Sequence, residues 1–377
     1  MTPFLKLVAD DLYRKLGGNF QDTCIIFPNK RASLFFTEYL WSNSNGETMW
    51  TPEYTSISEL FASLSDYTTG DSIFLVLNLW EVYREKMQPT KPLDQLYALM
   101  ETMLSDFQDI DNNMVDPSKL FLNIAELKEM TDFSFLEDEQ REAIELFFGK
   151  FFTERNANTP LKSQFKTLWN KMTELYEAYQ AALLDTEEEP MLYEGMLKRK
   201  VVEALTGKDE DARMRVDARL SAKTYVAVGF NVLNKTEMEL FRYIKQNRDA
   251  KFYWDYDIAY TKPFIHNGER GTKRPEGVLS KYEAGQFILE NIRLLGNEFE
   301  GQDLFNNMRQ PKKISFIQSP TENAQTRYIN EWMKVHVGND KPLKESAVIL
   351  CNENLLQPVL YRSEERRVGK ECTAECR

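Results

Sequence analysis

Short apolar runs that are separated by helical patterns constrain the fold of this chain more than any other feature. Cys24–Phe27, Thr224–Phe230 and Lys251–Asp257 have the length and the β-branched or aromatic content of buried strands. Pro28 and Asn29 end the first run, and an amphipathic helix pattern follows them. Strands that alternate with helices are typical of parallel sheets. We therefore predict an α/β fold built on a parallel sheet.

Helical periodicity and a scarcity of glycine characterise residues 70–206, which lie between the first strand and the later ones. We interpret this block as a helical insertion or a separate all-α subdomain. Its candidate helices cover residues 71–88, 92–108, 117–130, 137–155, 161–184 and 191–206. The charged stretch Lys208–Arg219 is predicted to be a loop. A parallel sheet interrupted by a long helical insertion is the layout of helicase-type motor domains, which have a P-loop-like α/β fold.

Further alternation follows the helical block. The predicted helices Thr236–Asn247, 281–296 and 321–336 are interspersed with predicted strands at Lys313–Gln318 and Ser346–Cys351. The alternation of strands and helices, together with the helical block, predicts five segments. They are a first part of a helicase-like α/β domain (1–69), the helical insertion (70–207), a second part of the α/β domain (208–300), the start of a second α/β domain (301–361) and a tail (362–377).

The charge of the chain argues against tight, sequence-independent binding of nucleic acid as its main role. Its net charge is −12, with 47 Lys and Arg against 59 Asp and Glu, whereas such binding comes from cations that neutralise phosphates. A local basic patch is still compatible with this balance. Two His are too few to favour zinc or non-haem iron chemistry. With no signal peptide and no membrane-spanning apolar run, we predict a soluble, cytoplasmic protein without membrane contact.

No nucleotide-binding or catalytic motif is complete in the sequence. A phosphate loop ends in Gly-Lys-Ser or Gly-Lys-Thr, and the chain contains three Gly-Lys pairs without that Ser or Thr: Gly149-Lys150, Gly207-Lys208 and Gly369-Lys370. A Ca²⁺ loop beginning at Asp109 would need Gly where Met114 stands. The nearest acid-x-Lys nuclease pair, Glu126-Leu127-Lys128, lies on a predicted helix, whose spacing does not build such a site. We predict no catalytic, cofactor-binding or metal-binding residue.

One candidate site follows the first strand. Asn29, Lys30 and Arg31 stand outside the carboxyl end of that strand, where open α/β sheets bind ligands. Cations at a helix N-terminus can contact the phosphates of a nucleic acid. We therefore name these three residues as candidate nucleic-acid-binding residues, and the alternative is a solvated helix start. Asp255 and Asp257, at the end of a later strand, are interpreted as solvated acids.

Four ordered blocks of the sequence resemble a known family. They are Ile25–Arg31, Leu104–Asp109 with the adjacent Asp116–Leu120, Tyr225–Glu237, and Ser319–Tyr328. In this order they are similar to landmarks of the AddB-type helicase–exonuclease subunits. The likeness is closer still to the bacterial PD-(D/E)XK nuclease family proteins related to those subunits. The resemblance covers residues 1–361.

The resemblance implies a superfamily-one helicase-like fold, DNA as a partner, and a role in processing DNA ends for recombination and double-strand-break repair. It also implies a helicase or nuclease partner subunit, and a Mg²⁺-dependent nuclease domain downstream of the sequence given. Two departures from the family matter. The phosphate loop that some relatives carry before the first helix is missing, because that helix begins here at Thr2-Pro3. Val228-Gly229-Phe230 also stands where an acidic Walker B pair is expected.

These departures lead to two functional hypotheses. The first is an ATPase-inactive, helicase-like region that binds DNA or serves as a scaffold within a PD-(D/E)XK exonuclease. The alternative is a non-enzymatic scaffold for protein–protein interaction, which the acidic charge favours. Arg362–Cys372 resembles the in-frame translation of a sequencing adapter. We therefore expect residues 362–377 to be a non-native tail on a truncated chain.

Overall fold

The computed structural model describes residues 2–44, 46–120, 160–185, 190–261, 282–299, 306–336 and 347–360. The chain divides into two compact units, Met1–Arg309 and Gln310–Arg377. The strands of the first unit are β1 (Thr23–Phe27), β2 (Glu53–Ser56), β3 (Thr68–Thr69), β4 (Met191–Leu192), β5 (Thr224–Val228) and β6 (Asp249–Tyr253). The first two predicted runs are thus confirmed as β1 and β5, whereas the third, Lys251–Asp257, is a strand only as far as Tyr253, because β6 begins at Asp249 and ends there.

A four-stranded parallel sheet with the order β2-β1-β5-β6 forms the centre of the first unit. Phe27 of β1 pairs with Ser56 of β2, and Val228 of β5 pairs with Tyr253 of β6. Because β1 and β5 are also in register, the carboxyl ends of all four strands lie side by side. The short strands β3 and β4 form a separate parallel pair. The predicted α/β fold with a parallel sheet is therefore confirmed.

Helices account for most of the other described residues of this unit. They are α1 (Phe4–Leu16), α2 (Arg31–Asn43), α3 (Ile57–Leu64), α4 (Ser72–Met87), α5 (Leu93–Asn112), α6 (Pro117–Leu120), α7 (Pro160–Leu184), α8 (Glu194–Thr206), α9 (Glu210–Ala218), α10 (Lys235–Asn247), α11 (Ile258–Thr261) and α12 (Glu283–Leu295). The predicted helix 137–155 and most of 117–130 lie outside the described residues. Among the described residues, no helix combines the length and the apolar character needed to cross a membrane.

The sheet is buried on both faces, because successive side chains alternate between two apolar clusters. In β1, Cys24 and Ile26 belong to one cluster, and Ile25 and Phe27 belong to the other. The second cluster also contains side chains of α1 and α2. Strands covered on both faces are continuous apolar runs instead of alternating ones. This is why β1 and β5 are recognisable in the sequence.

The helices between β2 and β5 share a core with the sheet. Leu79 of α4, Phe107 of α5 and Tyr179 of α7 are buried in the same cluster as Ile26 of β1. The described helices of this block therefore pack as part of one continuous core with one face of the sheet. The predicted boundaries at residues 70 and 207 stay predictions.

The loop predicted at Lys208–Arg219 is wrong, because Glu210–Ala218 forms α9. The carboxylate of Asp209 accepts a hydrogen bond from the Ala212 N–H at 3.1 Å, which caps the helix. Glu210 and Asp211 occupy the first turn, where negative charge interacts favourably with the helix dipole. The acidic residues that led to the loop prediction therefore form the N-cap and first turn of a helix.

The second unit contains α13 (Glu322–His336), which confirms the predicted helix over 321–336. The strand predicted at Lys313–Gln318 is wrong, because residues 311–319 pair with no described strand. Residues 347–350, the described part of the other predicted strand, are likewise unpaired. A strand exists only with a hydrogen-bonded neighbour, which apolar content alone does not provide. Phe316 is 96% exposed as a consequence.

Candidate nucleic-acid interface at the carboxyl edge of the sheet

The strand order creates a switch point between β1 and β5. From β1 the chain runs through α2 to β2 on one side of the sheet, and from β5 it runs through α10 to β6 on the other. Open α/β sheets bind ligands in the crevice outside the carboxyl ends of the strands at such a point. A ligand site is therefore expected at the carboxyl edge next to β1 and β5.

The three predicted binding residues lie together at this edge. Asn29 and Lys30 connect β1 to α2, and Arg31 is the first residue of α2. All three are exposed. Pro28 ends the strand and is also exposed, so a short connection carries the chain directly from the buried sheet to the surface. The predicted position of the candidate site is thus the observed one, while the ligand itself stays a prediction.

The helices that follow β1, β2 and β5 differ in how their N-termini are capped. At α3, the Glu59 N–H donates to the Ser56 hydroxyl at 3.3 Å, and the Ser56 N–H donates to the Glu59 carboxylate at 3.1 Å. At α10, Asn234 and Glu237 form the same reciprocal pair, known as a capping box. No side chain caps α2. The first helical N–H groups of α3 and α10 are thus capped by the Ser56 hydroxyl and the Asn234 amide oxygen, whereas α2 has no side-chain cap and could accept an anion.

The two cations of the site differ in their partners. Lys30 forms an ion pair with Glu59, and the Lys30 side chain is 77% exposed. The hydrogen bond from Lys30, together with those from the Ser56 N–H and hydroxyl, lowers the pKa of Glu59. Arg31 forms no ion pair with any residue in the described part of the chain. Arg31 is therefore the more accessible positive charge at this edge.

A buried lysine adjacent to the edge was not predicted from the sequence. Lys198 of α8 lies 2.9 Å from a Glu194 carboxylate oxygen and 3.2 Å from a Glu237 oxygen. The Ser58 hydroxyl donates to Glu194 at 2.6 Å, which links the pair to the start of α3. Burial raises the pKa of Glu194, but the bonds from Ser58 and Lys198 outweigh it and leave the pKa lowered.

The sequence does contain one signal for this cluster. Glu194 and Lys198 stand four residues apart on a predicted helix, the spacing of an intrahelical ion pair. That spacing is usual for exposed pairs, so it does not indicate burial. The cluster joins α8 to the starts of α3 and α10, and every charge in it is paired. The cluster therefore holds these three helices together at the carboxyl edge, and its charged groups bind one another instead of a ligand.

The buried carboxylates away from this edge are also saturated by protein donors. Asp111 is fully buried and accepts hydrogen bonds from the Tyr176 hydroxyl at 2.5 Å, from Gln180 at 3.0 Å and from Arg199 at 3.2 Å. The Tyr193 hydroxyl donates to its second oxygen. Burial and the nearby Asp111 charge raise the pKa of Tyr193. This network joins α5, α7 and α8 and is structural.

The two acids that follow β6 differ in their surroundings. Asp257 accepts hydrogen bonds from the backbone N–H groups of Ala259 and Met308, at 2.9 and 2.8 Å. Each carboxylate oxygen of the partly exposed Asp257 is thus held by a backbone N–H group, and its interpretation as a solvated acid stays a prediction. The Asp255 side chain is exposed, yet partial desolvation by the surrounding protein raises its pKa. Among the described residues, no group of three or more His, Cys, Asp or Glu could hold a metal ion.

Comparisons with known proteins do not identify the chain. No protein-family model matches the sequence, and no curated protein matches it significantly. The candidate function therefore depends on the geometry of the carboxyl edge and on the resemblance of the sequence blocks.

Proposed function

We propose that this chain is a helicase-like region that binds DNA without hydrolysing ATP, as part of a PD-(D/E)XK-type exonuclease acting in recombination and double-strand-break repair. Within that role it holds DNA through the phosphate backbone or serves as a scaffold for a helicase or nuclease partner subunit. We attribute the Mg²⁺-dependent cleavage to a nuclease domain outside the sequence given. The protein is proposed to act in the cytoplasm.

The observation that carries the proposal is the open N-terminus of α2 at the switch point. Asn29 and Lys30 directly precede the helix and Arg31 is its first residue, so this segment supplies an amide and two cations. Backbone N–H groups, a helix dipole and cations together favour a phosphate group. Contacts of this kind position a nucleic acid without reading its sequence. A few such contacts fit a chain of net charge −12, which cannot attract DNA by its overall field.

The same connection favours binding without ATP hydrolysis. Between β1 and α2 the chain has only Pro28, Asn29 and Lys30, with no glycine to wrap around a triphosphate. The end of β5 offers Val228 and Gly229 instead of a carboxylate for Mg²⁺. Gly229 has a φ of +77° and donates its N–H to the Tyr253 carbonyl at 2.9 Å, so it serves the turn after the strand.

DNA binding is tested by fluorescence anisotropy with a labelled duplex and the corresponding single strand, over a series of salt concentrations. We expect weak, salt-sensitive binding, and Arg31→Ala to reduce the slope of log affinity against log salt by about 1. The matched control is Lys223→Ala, which removes an exposed cation just before the amino end of β5. Equal binding by the wild type and both variants would refute the proposed contact. Mg²⁺-dependent cleavage or ATP hydrolysis by the purified chain would refute the assignment of roles.

A specific surface favours the second candidate, a protein-interaction scaffold. The outer side of α2 exposes Leu34 and Trp41, at 71% and 63%, together with Phe35. Their spacing places Leu34 and Trp41 two turns apart on the same side of the helix. Exposed apolar groups clustered in this way mark interaction sites. A partner protein released by Trp41→Lys, combined with the absence of a DNA shift at low salt, would favour this candidate over the first.

A further inference from the structure

We propose that Glu59 is a built-in competitor of the DNA phosphate for Lys30, so that DNA must displace a carboxylate to gain its second cation. This inference rests on the proposed function and adds a regulatory contact to the same site. The pairing of β1 with β2 creates the arrangement. Lys30 stands three residues after Phe27, and Glu59 three residues after Ser56, and Phe27 and Ser56 are partners in the sheet.

The two oxygens of the Glu59 carboxylate have separate tasks. Oε2 accepts hydrogen bonds from the Ser56 N–H at 3.1 Å and from the Ser56 hydroxyl at 2.9 Å, which fixes the carboxylate in the capping box of α3. Oε1 contacts the Lys30 ammonium. The carboxylate is therefore held in place by the cap, with one oxygen directed at Lys30. A carboxylate and a phosphate present the same acceptor to an ammonium group.

The competition is weak enough for DNA to overcome. Both side chains are exposed to solvent, at 77% for Lys30 and 43% for Glu59. Exposed ion pairs of this type alter equilibrium constants by about two- to five-fold. Arg31 has no such competitor among the described residues, so it makes the first phosphate contact and Lys30 follows when Glu59 is displaced. The contact tunes affinity without closing the site.

Glu59→Gln tests this contact because glutamine at the third helical position keeps the capping box and removes the charge. The readout is the anisotropy of the labelled duplex and of the single strand. We expect Glu59→Gln to bind about two- to five-fold more tightly than the wild type. The matched control is Glu53→Gln, which removes an exposed charge at the start of β2, at the opposite edge of the sheet. It is expected to bind as the wild type does.

A second variant shows whether the effect passes through Lys30. In the background of Lys30→Ala, the change Glu59→Gln is expected to have no effect on affinity, and thermal unfolding of each variant reports whether the fold is retained. If Glu59→Gln and Glu53→Gln behave alike while Arg31→Ala weakens binding, the competition is overturned and the proposed function stands. The same holds if Glu59→Gln tightens binding equally without Lys30. If Arg31→Ala leaves binding unchanged, the proposed function itself fails.

Discussion

The ammonium group of Lys198 lies 3.2 Å from a carboxylate oxygen of Glu237, in a setting where the lysine side chain is only 7% exposed. Glu237 also closes the capping box of α10, so the contact links α8 to the start of the helix that follows β5. Glu194, at 2.9 Å, completes a charge group of one cation between two anions. A central helix is thereby fixed to the carboxyl edge of the sheet.

Replacing Lys198 with methionine is expected to destabilise the protein strongly. The change leaves Glu237, which is 12% exposed, without its cation, and removing one member of a buried pair costs about 3 kcal/mol. Urea unfolding measures the loss. Lys208→Met, at an exposed position, should alter the free energy of unfolding by less than about 0.5 kcal/mol. Equal stability of the two variants would show that the buried pair is unimportant.

The Asp111 network gives a second stability prediction. Tyr193→Phe removes a hydroxyl donor from a fully buried carboxylate, and a hydrogen bond to a charged group contributes about 2 kcal/mol. Tyr243→Phe is the control, because its hydroxyl bonds to the partly exposed Asp217 at 3.0 Å. We expect the first substitution to lower the free energy of unfolding by clearly more than the second. The opposite order would contradict a structural role for the network.

The central strands β1 and β5 were predictable because both of their faces are buried, so their sequences are continuous apolar runs. Thr224–Val228 is buried at every position, so no alternation with water-facing side chains obscures it. The position of β1 between β2 and β5 was not predictable in the same way. The partner of Thr23 on one side is Thr224, and nothing local in the sequence relates residues so far apart. Strand order depends on how the helices pack, which single-residue patterns do not encode.

The candidate site was predictable only in part, for a related reason. Pro28 stops β1, which placed Asn29 to Arg31 at the carboxyl edge correctly. The ion pair between Lys30 and Glu59 is not predictable from the sequence, because it depends on the pairing of β1 with β2. Lys198 was missed because its spacing from Glu194 is that of a surface pair, and its burial comes from the packing of α3 and α10 around α8. Both features depend on tertiary contacts, which the local sequence does not reveal.

Acid should weaken the attachment of α1 to the sheet through Asp11. Asp11 is 4% exposed, and it accepts hydrogen bonds from Lys15 at 2.8 Å and from the Tyr253 hydroxyl at 2.7 Å. Burial raises the pKa of Asp11, but these bonds outweigh it and leave the pKa lowered. A lowered pKa stabilises the folded state above the unfolded value of about 3.9, and this contribution is lost as the pH falls through the folded value.

Asp11→Asn should therefore be less stable than the wild type at pH 7, and the difference should shrink below a pH of about 4. Urea unfolding across the pH range measures both effects. Asp10→Asn serves as the control, since Asp10 is the exposed neighbour and pairs with Lys6 on the surface. A constant difference between Asp11→Asn and the wild type at all pH values would rule out the linkage.

Close contact between α5 and α8 makes Gly195 a sensitive position. A Cβ atom there would lie 2.6 Å from the Gln108 carbonyl oxygen and 3.0 Å from its Cα, both of them backbone atoms. Backbone atoms cannot move aside as a side chain does. We therefore expect the steric clash to outweigh the helix preference of alanine, which is about 1 kcal/mol, so that Gly195→Ala lowers the free energy of unfolding by about 2 kcal/mol. Gly17→Ala is the comparison, since its Cβ would meet nothing within 4 Å and only its φ of +61° opposes it. We expect Gly195→Ala to lower the urea midpoint more than Gly17→Ala, and the reverse order would show that the two helices can separate without loss.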